Sequence, residues 1–124
     1  MELKDLVGYQ LVKIDDDKII VSKGNKTYVL NIEEDYGDCC GYNNIKTEMF
    51  FEENSKNNPI ITRIEKKQIG LEDDGERVEI TFFGENKELA KIDSLSSSGS
   101  GWSYGACVIV KCKELNIEEE ITSW

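Results

Sequence analysis

The sequence predicts a mainly β fold, β-rich α+β in kind, with antiparallel sheets packed as a sandwich or a partial barrel and one or two short helices. Three observations lead there. Short runs of β-branched and aromatic residues recur along the chain, and clusters of Asp, Asn and Gly separate them at short intervals. No strand–helix–strand alternation and no internal repeat is present, which argues against a parallel sheet. A length of 124 residues fits one domain, 1–124, with a single modest core.

The elements follow in order. Met1 to Val7 offers Leu3, Leu6 and Val7 as the apolar face of a short turn or helix. Leu11-Val12-Lys13-Ile14 and Lys18-Ile19-Ile20-Val21-Ser22 flank Asp15-Asp16-Asp17, an aspartate turn between β-branched runs. After Lys23-Gly24-Asn25-Lys26, the run Thr27 to Glu33 alternates with Tyr28, Leu30 and Ile32 on one face, completing a three-stranded meander. Glu34 to Asn44 reads as a structured loop around Asp38-Cys39-Cys40, and Ile45 to Phe51 suits a strand or one helical turn. Glu53 to Pro59 is a polar connection before a strand from Ile60 to Lys67, and Leu71 to Glu76 is a turn. Strands then follow through Val78 to Phe83, Leu89 to Asp93 and Ala106 to Cys112, with turn Gly84-Glu85-Asn86-Lys87 and a Ser/Gly/aromatic loop, Ser96 to Gly105, between them. In the tail, Ile117, Ile121 and Trp124 are spaced four and three apart, as in a short helix laid on a sheet or a strand exchanged with a neighbour.

A net charge of −10 and a pI near 4.5 exclude duplex DNA and long RNA as partners, because each phosphate contact needs a cation. A small anion remains possible where a local cation pair or converging N–H groups outweigh distant charge. The opening Met1-Glu2-Leu3-Lys4-Asp5 lacks a basic segment followed by an apolar run, and no apolar stretch spans a bilayer, so a cytoplasmic chain with no membrane partner is expected. There Cys39, Cys40, Cys107 and Cys112 stay reduced, and their spacing matches no zinc pattern. Without histidine the usual catalytic base and metal ligand are missing, so no metal and no cofactor is expected.

Candidate site residues cluster in the last third. The serines and glycines of the loop, among them Ser97, Ser98 and Gly101, supply hydroxyls and a backbone free to turn N–H groups on an anion. Trp102 and Tyr104 share a side if the loop is extended, and can wall a pocket for a flat ring or serve as core and subunit-contact residues. In the strand before, Val78, Ile80 and Phe82 point one way and Glu79, Thr81 and Phe83 the other, so one phenylalanine faces away from the core. Arg77, Lys87, Lys91, Lys111 and Lys113 make this the most cationic region, suited to phosphate or to solvated edges. Asp38 beside Cys39 and Cys40 disfavours a thiolate, and the many carboxylates single out no acid–base pair.

With these residues in hand, the chain resembles a group of small phage proteins, the Thoeris anti-defence family. The likeness rests on Leu6-Val7-Gly8, the acidic segment Glu34 to Cys40 ending in Asp-Cys-Cys, Pro59-Ile60-Ile61, Thr81-Phe82-Phe83, and Ser97 to Tyr104, in that order. The resemblance implies a non-enzymatic protein of the bacterial host cytoplasm that sequesters a cyclic-ADP-ribose-type signal of TIR-based immunity without turnover. It implies a homodimer or higher homo-oligomer with a pocket near subunit contacts. Phe82 would stack on adenine, and the loop's serines and aromatics would hold ribose and phosphate. Asp93 stands where that pattern has Arg, and Gly99-Ser100-Gly101 where it has Asn-Gly, so phosphate contacts fall to Arg77, nearby lysines or backbone N–H groups. Two other classes compete: an acidic interaction module that inhibits a host enzyme, and a nucleotide hydrolase using carboxylates.

Overall fold

The computed structural model describes residues 1–36, 42–52, 57–72, 75–97 and 106–123. A 3₁₀ turn, Leu3–Leu6, opens the chain, and nine strands follow: β1 Gln10–Ile14, β2 Lys18–Lys23, β3 Lys26–Tyr36, β4 Tyr42–Met49, β5 Arg63–Glu72, β6 Gly75–Gly84, β7 Lys87–Ser97, β8 Ala106–Cys112 and β9 Ile117–Ser123. They form two antiparallel sheets, β1-β2-β3-β8-β9 and β4-β7-β6-β5. The expected β-rich sandwich is therefore the observed architecture, and the only helical element among the described residues is the 3₁₀ turn.

Alternation builds the core. Leu11, Ile14, Ile19, Val21, Leu30, Ile32, Val108 and Val110 face inward from the five-stranded sheet, against Val78, Ile80, Phe82, Ala90 and Ile92 of the other. The 3₁₀ turn adds Leu3 and Leu6, and its start is fixed by the Glu2 N–H donating to Asp5 Oδ2 at 2.8 Å. Asp15 Oδ1 accepts from the N–H groups of Asp17 and Lys18 at 3.1 and 3.0 Å, closing the first hairpin as an aspartate turn. Asp16 ties that hairpin to the second sheet, accepting from Thr47 N and Oγ1 at 3.1 and 2.8 Å.

Several expected elements change. The tail is neither a helix nor an exchanged strand but β9, paired to β8 of the same chain. Ile45 to Met49 is strand, within β4. The run Ile60 to Lys67 divides: Ile60 bridges Gln10 at the margin of the first sheet, and β5 starts at Arg63. Ser96 and Ser97, expected in the last loop, belong to β7. β3 and β4, and again β7 and β8, are consecutive strands in different sheets, and the residues at those strand ends pair with each other: Tyr36 with Ala106, and Tyr42 with Ser97. Asp38, Cys39 and Cys40 lie outside the described residues.

Candidate functional site

The expected site residues among those described do not converge. Phe83 sits at the β6–β7 turn, whereas Arg77 lies six residues back along β6, about 20 Å away at the rise of a strand. Phe82 is corrected outright: it is 0 % exposed, sealed between the sheets, and no purine can reach its face. Ser97 is likewise buried, at 2 % exposure, and offers no hydroxyl to a ligand. Ser98, Gly101, Trp102 and Tyr104 lie outside the described residues. The cations also disperse: Lys111 belongs to the other sheet, and Lys91 pairs with Glu79 and Glu88 at 3.6 and 3.8 Å.

Arg77 is engaged by its own chain. Its Nε donates to Asp93 Oδ1 at 2.9 Å and its Nη2 to Oδ2, a two-pronged pair across β6 and β7. That hydrogen bond holds the Asp93 carboxyl below the usual range against partial burial, helped by the charges of Arg77 and Lys46. The same bond raises Arg77 above its ordinary value. Asp93 thus supplies internally the anion that a phosphate would have been. Beneath this pair the inner face of β7 turns hydroxylic. Ser94 and Ser96 lie 2.7 and 2.8 Å from Thr122 Oγ1 of β9, and Ser96 Oγ donates to Asn43 Oδ1 at 2.6 Å. This network is buried and satisfied, which makes it an anchor for β9 rather than a binding surface.

The other end of the same sheet is open. Phe83 pairs with Glu88 on one side and Arg63 on the other, so the three side chains form a row across three strands. The Arg63 guanidinium carbon stands 4.1 Å from the centre of the Phe83 ring, a cation–π distance. A groove of about 390 Å³ runs past them, completed by Thr62, Gly84, Asn86 and Lys87. Three local features hold it in shape. Thr62 donates through N and Oγ1 to the Phe83 carbonyl at 2.8 and 3.2 Å. Asn86 takes the left-handed conformation, at φ 68°, at the second position of the β6–β7 turn, where Asn tolerates it. A bulge leaves Leu89 opposite no partner, so Leu89 and Ala90 both turn inward while Phe83 stays half-buried at the surface. Phe50, 41 % exposed, donates its N–H to the Leu89 carbonyl at 2.8 Å beside this end.

Chemically the groove joins a flat aromatic–guanidinium surface to an ammonium, a hydroxyl and a carboxylate. Sequence reasoning included Phe83 and missed Arg63 and Thr62. Arg63 is one of two arginines in a lysine-rich chain, a signal that marks planar recognition. No group of three or more metal-binding side chains occurs among the described residues. No helix among them is long and apolar enough to cross a membrane.

Fold and groove together define a small antiparallel β-sandwich with a solvent-open, mixed-charge surface groove. The chain matches no protein-family model, no curated protein and no solved structure.

Proposed function

We propose that this protein binds and sequesters a small cyclic nucleotide of the cyclic-ADP-ribose type without turnover, and that as a phage product in the bacterial cytoplasm it thereby blocks TIR-based Thoeris immunity. The observation that carries the binding reading is the Arg63 guanidinium over the half-exposed Phe83 ring, with Lys87 on the rim of the same groove. A purine can stack on that flat cationic surface, which is worth about 1–3 kcal/mol per base on aromatic platforms. Lys87 can meet phosphate, as can Arg63 from an exposed pair with Glu65 at 3.3 Å, and Thr62 and Glu88 can meet ribose hydroxyls. The resemblance of Leu6-Val7-Gly8, Pro59-Ile60-Ile61 and Thr81-Phe82-Phe83 to the pattern of the Thoeris anti-defence family supports the ligand class. A homodimer or higher oligomer would enclose an open groove further, as tight capture of a small ligand requires.

The test is calorimetry of the protein with cyclic ADP-ribose, followed by heat denaturation and recovery of the ligand. Saturable binding with chemically unchanged ligand is expected, and Phe83→Ala should weaken it about ten- to a hundredfold. Recovery of an altered nucleotide would replace sequestration by hydrolysis. Absence of binding, together with salt-sensitive capture of a basic host enzyme, would replace it by the interaction module.

A further inference from the structure

Each sheet has two edges, and among the described residues three of the four are occupied. The extended run Pro59 to Ile61 lies along β1: the Pro59 carbonyl accepts the Leu11 N–H, and the Ile61 N–H donates to the Tyr9 carbonyl, both at 2.8 Å. Asp16 sits on the edge of β4 at Thr47, and Met49 Sδ of the same strand accepts the Ile14 N–H at 3.5 Å. Side chains cover β9, where the Glu120 carbonyl accepts from the Lys66 ammonium at 3.3 Å and the Ser123 N–H donates to Glu76 Oε1 at 3.1 Å. The fourth edge is β5, ten residues long. From Arg63 to Gln68 its backbone bonds to β6 alone among the described residues. Alternate N–H and C=O groups of that run face outward, a ready template for an added strand.

The residues of this edge complement a second copy of themselves in one register. An antiparallel copy of β5 must keep each side chain on its own face, so a two-fold axis between the copies passes through one residue. With the axis at Ile64, Arg63 of each copy lies opposite Glu65 of the other, Ile64 meets Ile64, and Thr62 meets Lys66. An axis at Arg63, Glu65, Lys66 or Lys67 sets two like charges opposite each other, which is destabilising. Arg63 and Glu65 are 61 % and 56 % exposed and pair within the chain at 3.3 Å through Nε of Arg63. The other N–H groups of that guanidinium are left for a second carboxylate.

We propose that two copies of this chain pair through β5, antiparallel about a two-fold axis at Ile64, which joins their four-stranded sheets edge to edge. Glu65 of the second copy then stands beside Arg63 at the wall of the Phe83 groove. The pairing needs no nucleotide, so it stands or falls apart from the functional reading, for which it supplies a dimer interface. Lys66 and Lys67 are also the kind of charge that keeps an edge strand single, and that role predicts a monomer.

Sedimentation velocity of the ligand-free chain separates the two, over concentrations up to about 1 mM because so short a seam is a weak interface. A monomer–dimer equilibrium is expected. Arg63→Glu and Glu65→Arg each set like charges opposite one another in their own homodimer, and each should raise the dimer dissociation constant at least about tenfold. Mixed together, the two variants restore both pairs and should form a heterodimer about as tight as the parent dimer. Both remain strongly acidic, so general attraction does not imitate that result. Both positions are exposed, and amide spectra of each variant check that it folds. A parent that stays monomeric throughout, single variants that dimerise like the parent, or a mixture that fails to associate would each overturn the proposal.

Discussion

Phe82 loses all contact with solvent while Phe83, one residue on, keeps part of its ring exposed beneath Arg63. The two should therefore separate stability from binding. Phe82→Ala opens a cavity between the sheets and should cost about 3–5 kcal/mol in urea denaturation, whereas Phe83→Ala forfeits one surface cation–π contact, worth about 0.5–1 kcal/mol. Nucleotide affinity should fall the other way, more with Phe83 than with a folded Phe82→Leu. Asp93 gives a second test at this scale. Its carboxyl titrates below its ordinary value near 3.8 because Arg77 hydrogen-bonds the ionised form. The folded chain therefore holds fewer protons than the unfolded one in that window. Stability from the pair is complete above pH about 4 and is lost as pH falls through the lowered folded value. Asp93→Asn should be less stable than the parent near pH 7, and the difference should shrink as pH falls below the ordinary carboxylate value, as denaturation midpoints at neutral and acid pH will read. Half-exposure of Arg77 keeps the effect small.

At the scale of strands and turns, the alternating runs and Asp- or Gly-bearing turns made the meander and the β6–β7 hairpin legible, because both signals are local. Where the reading failed, the deciding contact was distant. A spacing of four suits a helix face and a strand face alike, so Ile117 and Ile121 did not distinguish them; pairing with β8 did. Alternation told that one phenylalanine faces outward, but which one depends on the side where the second sheet packs. The serines of β7 looked like loop because Ser is rare in strand cores, and the partners of Ser96 are distant in sequence: Thr122, 26 residues on, and Asn43, 53 residues back. Thr122→Val should therefore leave buried hydroxyls short of a partner and lower stability by about 1–3 kcal/mol, measured by denaturant unfolding, with β9 amides losing exchange protection first. Gly84 is fixed by a different contact. A Cβ there would lie 2.9 Å from Leu89 Cδ2 and 3.1 Å from its Cγ, and Leu89 is packed in the core. Gly84→Ala should cost about 1–3 kcal/mol and shift the resonances of Phe83, since the bulge that presents the ring would have to move.

For the whole molecule the governing quantity is a net charge of −10 around a groove whose cations are Arg63 and Lys87. On the proposed function, an anionic nucleotide would approach against the summed field and would be held, once docked, by charges within one screening length, about 10 Å at 0.1 M salt. These two effects respond oppositely to ionic strength. Between about 20 and 200 mM salt the long-range repulsion is screened, so the association rate constant should rise. The dissociation rate constant should rise as well, because Arg63 and Lys87 are exposed to the same ions, leaving the equilibrium affinity nearly flat. A nucleic-acid-type binder behaves differently: its affinity falls steeply with salt as counterions are released. An acidic module docked on a basic enzyme also slows its association as salt rises. Stopped-flow measurement of both rate constants across that range distinguishes the cases, and an association rate that falls with salt would show that the ligand enters through a positive field this groove does not provide.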